Sequence, residues 1–271
     1  MLRTFHKSCG SGWRPIYSTG DMNWTPLIWL AVALMLLLLV ERWIHRHLQG
    51  AMLLLTGEPQ VAVLLYALPL LPGIVLHEVS HALAAVLLRV RVGRMSIRPK
   101  LAGERVQLGF VPVEKTDVLR ASLIGLAPLL AGSAVILLIG YHVFDVGGMG
   151  AALASGNWSS LTGGLQRALG APDAWLWAYV VFAVSNTMLP SQADRQSWTP
   201  VLLFLLLAGG LLWVAGWWPA IVQGLAAPLV VALHWLATMC ALTIAVDVPF
   251  MLAIAVGERL LERVRGLQVN Y

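Results

Sequence analysis

Charge is what this chain has least of. Asp, Glu, Lys and Arg make up 11% of its 271 residues, against 59% hydrophobic residues and a mean hydropathy of +0.78. A soluble domain carries roughly 25% charged residues, so this chain cannot cover a water-facing surface, which excludes a soluble globular enzyme. The same hydrophobicity excludes intrinsic disorder, which needs the opposite balance. Cysteine is scarce as well. Cys9 and Cys240 cannot form a disulfide framework or a cysteine-rich zinc site, and Cys240, inside an apolar run, reads as a small packing residue. There is no internal repeat, and the length leaves no room for an appended soluble domain. The chain has instead a series of apolar runs near the ~20 residues that span a bilayer as helix. The expected fold is an all-α polytopic protein embedded in the lipid bilayer.

About six such segments are present, at 24–43, 59–90, 118–141, 174–190, 199–220 and 224–256. The second is too long for one straight helix, and Pro69, Pro72 and Gly73 predict a kink or break inside it. Ahead of the first lie Arg3, Lys7 and Arg14. No small-residue cleavage site follows the run, which leads into Glu41-Arg42-Trp43-Ile44-His45-Arg46, so a retained span is expected rather than a signal peptide. The chain divides accordingly into a basic N-terminal segment with the first span (1–58), a central core (59–197) and C-terminal spans with a short basic tail (198–271).

The net charge of +5 reads as basic loops held at the cytoplasmic membrane face rather than as a nucleic-acid surface. Its source is one stretch. Between residues 89 and 120 stand Arg89, Arg91, Arg94, Arg98, Lys100, Arg105, Lys115 and Arg120 against Glu104, Glu114 and Asp117, eight minus three, or +5. Short alternations at 94–98 and 106–111, with Gly103 near a turn, predict a small β hairpin or sheet at the membrane surface. The positive-inside rule places this segment in the cytoplasm. Counting spans outward then puts both termini inside and the loop 142–173 outside, with interfacial helix expected at 148–154 and 161–169. Trp24, Trp43, Trp198, Trp213, Trp217 and Trp218 fall near segment ends, as an interfacial aromatic belt does.

One motif carries chemistry. Residues 77–81 read His77-Glu78-Val79-Ser80-His81. On a helix, residues four apart share a face, so both imidazoles reach one ion, and Glu78 can face a water on that ion. This is the zinc-hydrolase arrangement of two His ligands and a Glu general base. Charged residues at mid-bilayer cost roughly 2–3 kcal/mol each, so the cluster needs compensation; the bland alternative is a His/Glu hydrogen-bond brace between helices. Zinc catalysis uses three protein ligands and one open position. The fourth segment ends on the same side, in Asn186-Thr187-Met188-Leu189-Pro190-Ser191-Gln192-Ala193-Asp194-Arg195, and Asp194 is the expected third ligand, against an interfacial Asp paired with Arg195. Asp247 and His234 are weaker polar candidates. His142 falls on the wrong side, and His6, His45 and His47 read as solvated loop residues.

Across residues 60–197 the chain resembles the site-2 protease family of intramembrane zinc metalloproteases. The resemblance rests on His77-Glu78-Val79-Ser80-His81, on the basic strand-forming segment leading into Ala121–Gly132 with its Ala127-Pro128 pair, and on the Asn186…Pro190…Asp194 stretch. Ser80, Ala127 and Arg195 stand where the family commonly has Gly. The resemblance implies a Zn2+ cofactor, Asp194 as the third ligand, and Asn186 as a residue holding substrate or the developing oxyanion. It also implies an endopeptidase cutting within or next to a transmembrane segment of a substrate protein, with residues 94–112 offering an edge to an extended substrate and selection left to the membrane core, the outer loop or a regulatory membrane partner. The brevity of the chain suggests a bacterial plasma membrane. The alternative is a non-catalytic scaffold, or a metal or ion carrier, using the same His/Glu cluster.

Overall fold

The computed structural model describes residues 25–96, 100–102, 105–107, 109 and 111–267. The basic segment with Arg3, Lys7 and Arg14, together with His6, Cys9, Trp24 and the turn expected at Gly103, lies outside the described residues. Ten helices are described: α1 Thr25–Thr56, α2 Pro59–Ala67, α3 Leu71–Leu87, α4 Val118–His142, α5 Val146–Ala154, α6 Trp158–Leu169, α7 Ala174–Ser185, α8 Gln192–Arg195, α9 Trp198–Val214 and α10 Trp218–Arg265. Four are long and apolar enough to cross a membrane, or up to six spans if each bent helix pair counts as one.

The second apolar run breaks where its prolines stand. α2 and α3 meet at a 78° bend, and Pro72 falls in the first turn of α3, where a missing N–H breaks no helical bond. The fourth run is shorter than the sequence suggests. α7 ends at Ser185, because Pro190 cannot continue a helix and restricts the residue before it. The loop between α4 and α7 is helical as α5 and α6, with α6 and α7 bent by 91°.

Two other boundaries move outward. α1 runs to Thr56 rather than ending near residue 43, because the polar stretch that looked like an exit has partners inside the fold. Glu41 and Ile44 are buried, His45 Nδ1 lies 2.6 Å from the Tyr66 hydroxyl, and His47 Nδ1 lies 2.6 Å from Glu258 Oε2. His45 and His47 are therefore helical and partnered, not loop residues. α10 has 48 residues, about 72 Å at 1.5 Å per residue, and it ends at Gly266 with φ 66°, the left-handed C-terminal cap that glycine adopts without strain.

The packed interior lies among α1, α4, α7 and the second half of α10, where Leu37, Ile136, Val181, Val184, Met188, Met239 and Cys240 form one cluster. A second joins Ile44, Tyr66, Leu70, Ile74 and Phe182, with Phe182 stacked on Phe250 at a centroid distance of 4.2 Å. Cys240 is fully buried there, a packing residue as expected. None of the side chains described on α9 is buried, so its apolar surface faces outward. Between α3 and α4, Lys100–Ala102 (β1) pairs antiparallel with Arg105–Gln107 (β2), and Val92 bridges Val113. Asp117 then caps α4, accepting from the Arg120 amide at 3.0 Å; that bond and the nearby guanidinium hold its carboxyl below the ordinary carboxylate range.

α1 and α10 run side by side in the same direction, since His47 pairs with Glu258 and, further along both helices, the Leu55 carbonyl accepts from Arg265. Six simple up-and-down crossings leave the first and last helices antiparallel. If both helices span the bilayer, the parallel pair requires an odd number of crossings, which the two bent pairs permit, and would set the outer ends of α1 and α10 on opposite membrane faces rather than both inside. Labelling of single cysteines with an impermeant maleimide in sealed vesicles tests this. Glu58→Cys and Arg263→Cys are expected to react from one and the same side and Leu27→Cys from the other; reaction of the first two from opposite sides contradicts the arrangement.

Candidate metal centre

The site forms where α3, α4 and the α7–α8 connection meet, and main-chain carbonyls set its geometry. His77 and His81 lie one turn apart on α3. His77 Nδ1 lies 2.6 Å from the Thr187 carbonyl and His81 Nδ1 lies 2.9 Å from the Ile124 carbonyl. Both carbonyls lack a helical partner, Ile124 because of a proline and Thr187 because its helix has ended. Pro128 sits four residues after Ile124 inside α4 and has no N–H to give it. Thr187 lies just past the end of α7 and three residues before Pro190. An Nδ1–H donated to a carbonyl leaves the Nε2 lone pair free, which is the form of imidazole that binds metals.

Asp194 is carried on α8, a single turn whose start is built by a capping box. The Asp194 carboxylate accepts from the Ser191 amide at 2.7 Å, and Ser191 Oγ accepts from the Asp194 amide at 3.3 Å. One carboxylate oxygen is thereby tied to the backbone, which fixes the direction of the other. α4 can approach α8 this closely because it presents Gly125. A Cβ there would lie 2.3 Å from the Asp194 carbonyl oxygen.

The donor atoms converge. His81 Nε2 lies 3.1 Å from His77 Nε2 and 3.2 Å from Asp194 Oδ1, and His77 Nε2 lies 3.8 Å from Asp194 Oδ2. Ligand atoms about 2.0–2.1 Å from a tetrahedral ion are separated by about 3.3 Å, so the observed spacings bracket that value. With both Nδ1 atoms committed to carbonyls, both Nε2 atoms are turned toward each other and toward the Asp194 carboxylate, an arrangement in which two neutral imidazoles and a carboxylate can share one cation. His77, His81 and Asp194 form a group able to hold a metal ion.

Glu78 is buried and lies within the electrostatic reach of His81 and Asp194. The surface segment folds back over it. Gly93 donates to the Pro112 carbonyl at 2.8 Å and Glu114 to the Arg91 carbonyl at 3.1 Å, and Gly109 passes so near Glu78 that a Cβ would meet its Oε1 at 2.4 Å. Asn186 is buried too, and its amide donates inward to the Phe182 carbonyl at 2.9 Å and to Ser185 Oγ and Asp247 Oδ1, each at 3.3 Å. His234 and His142 are exposed and are not brought to the site. Ile124, Thr187, Ser191, Gly109 and Gly125 are the contributors that residue-type reasoning misses. Two of them act through carbonyls, visible only by counting four residues back from Pro128 and three from Pro190, while Ser191-x-x-Asp194 is a readable capping-box signature.

Residues that orient ligands typically contribute 10–100-fold to metal affinity. Ser191→Ala removes half of the capping box and is expected to weaken metal binding by about tenfold without abolishing it, while His77→Ala abolishes it. Chelator competition on purified protein checks both, with Ser159→Ala on α6 as the unaffected control. Unchanged affinity in Ser191→Ala shows that the carboxylate is aimed by other means. No protein-family model, curated protein or solved structure matches the chain.

Proposed function

We propose that this chain is an intramembrane zinc endopeptidase of the site-2 protease type, hydrolysing a peptide bond within or next to a transmembrane segment of another membrane protein. The observation that carries the proposal is the convergence of two carbonyl-locked imidazoles and a capped carboxylate beside Glu78, inside a bundle of apolar helices. Two imidazoles and one carboxylate form a donor set that suits zinc, with a fourth position left for water or substrate.

A zinc ion held there supplies Lewis-acid polarisation of the scissile carbonyl and a bound water of lowered pKa. Glu78 is the general base: it takes a proton as water adds to the carbonyl carbon, and returns that proton to the nitrogen as the C–N bond breaks. With their Nδ1 atoms held by Thr187 and Ile124, His77 and His81 would offer their Nε2 lone pairs to the ion and stay neutral while it is bound. Burial of Glu78 under Gly109 limits bulk water around the reacting carboxylate.

Spanning helices satisfy their own backbone hydrogen bonds, so a substrate must unwind locally before it can be cut. In this reading the basic segment is a small paired-strand unit at the cytoplasmic membrane surface, and residues 94–112 receive the unwound chain by strand addition. Asn186 then serves the substrate after its amide turns from Asp247 toward the site. The host is a bacterial plasma membrane, and a membrane partner supplies regulation.

Glu78→Gln separates this function from a metal carrier or scaffold. The variant is expected to bind about one zinc per chain, as the wild type does, since Glu78 is not a ligand. Cleavage of a reporter carrying a membrane segment is expected to fall by at least a factor of about 100, within the usual range for a lost general base. Undiminished cleavage, or loss of zinc together with cleavage, overturns the role assigned to Glu78.

A further inference from the structure

The interior holds a second polar cluster that the proposed hydrolysis leaves unused. Glu41 lies near the middle of α1, Thr243 and Asp247 one turn apart on α10, and Ser185 and Asn186 at the end of α7. All five are buried, and Ser185, Thr243 and Asp247 expose no surface at all. Asp247 Oδ1 accepts from Ser185 Oγ and Asn186 Nδ2, both at 3.3 Å. The field of Asp247 acts on the Glu41 carboxyl, so the two acids share one neighbourhood.

Four oxygens in this cluster have no hydrogen-bond partner among the described residues: Glu41 Oε1, Asn186 Oδ1, Thr243 Oγ1 and Asp247 Oδ2. Neither acid forms an ion pair with Lys, Arg or His among the described residues. Buried acceptors without donors, and buried acids without a counter-charge, are costly anywhere and more so between membrane helices. With both carboxyls ionised, three of the four free atoms are acceptors only and Thr243 has one proton to share, so the members cannot relieve one another. What the cluster lacks is positive charge.

We propose that Glu41, Asn186, Thr243 and Asp247 form a second cation site, separate from His77, His81 and Asp194, that takes a hard divalent cation of the calcium class. The donors are all oxygen, which selects against the softer metals that imidazole suits. Two carboxylates balance a charge of +2 in a low-dielectric interior, where a monovalent ion leaves one negative charge uncompensated. The bound cation clamps α1, α7 and α10 together directly beside Thr187, whose carbonyl orients His77.

The test uses the purified full chain in detergent with saturating zinc present, so that the imidazole site is already filled. Equilibrium dialysis with radioactive calcium is expected to show about one calcium per chain, and calcium is expected to raise the unfolding temperature by mass action. Asp247→Asn and Glu41→Gln keep the side-chain shapes and remove one charge each; both are expected to fold, by gel filtration and near-UV circular dichroism, and to bind calcium at least about tenfold more weakly. His77→Ala is expected to keep full calcium uptake. The proposal is overturned by no calcium uptake in the wild type, by equal uptake in both charge variants, by stabilisation with sodium alone, or by loss of calcium in His77→Ala. If instead the two acids share a proton, Asp247→Asn has an unfolding temperature at or above that of the wild type whatever cation is added.

Discussion

An imidazole offers one nitrogen to a cation only while the other keeps the proton, and inside a membrane that proton needs an acceptor that lipid cannot supply. The helices of this protein use up nearly all of their own carbonyls, so acceptors have to be released from them. Pro128 releases the carbonyl of Ile124, and the end of α7 ahead of Pro190 releases that of Thr187. Those oxygens receive His81 and His77. The irregularities in α4 and α7 are thus what make the regular helix α3 chemically useful, because they fix both tautomers and both ring planes before any ion arrives.

Close approach of backbones makes this possible. A Cβ at Gly73 would lie 2.0 Å from the Ala183 carbonyl oxygen, and one at Gly132 would lie 2.7 Å from the Met188 Cβ. With Gly125 against Asp194, these contacts bring α3, α7, α4 and α8 near enough for side chains from all of them to meet. Between membrane helices there is no hydrophobic gain in bringing apolar faces together, since lipid is equally apolar, so small residues and short polar contacts set the spacing. The same reasoning accounts for the contrast with α9, which has neither close glycine contacts nor buried side chains.

Much of this was legible in the sequence, and the limits of legibility are physical. His77, Glu78 and His81 declare themselves by spacing, and Asp194 by its place after a helix-ending proline. The break at Pro69 to Gly73 follows from covalent geometry alone. The ends of α1 and α10 were not legible. A charged stretch such as Glu41 to Arg46 reads as a membrane exit when its partners are unknown, and only the pairing of His45 with Tyr66 and His47 with Glu258 shows why the helix continues. Direction was also hidden, because periodicity carries no information on whether two distant helices run parallel.

Glu41 and Asp247 extend that last point. Each is isolated in the sequence, one near an apparent loop and one in an apolar run, and neither belongs to a motif. Two parallel helices of more than thirty residues each bring them together, with Asn186 from the end of α7 lying against Asp247. Asn186 therefore stands between two polar centres. Its neighbour Thr187 serves the imidazoles, while its own amide is spent on Asp247. Under the proposed function, an asparagine committed in this way binds substrate only after giving up Asp247. Whatever loosens that contact frees the amide, so the charge state of the buried acids and the acceptance of a peptide would be linked through a single side chain.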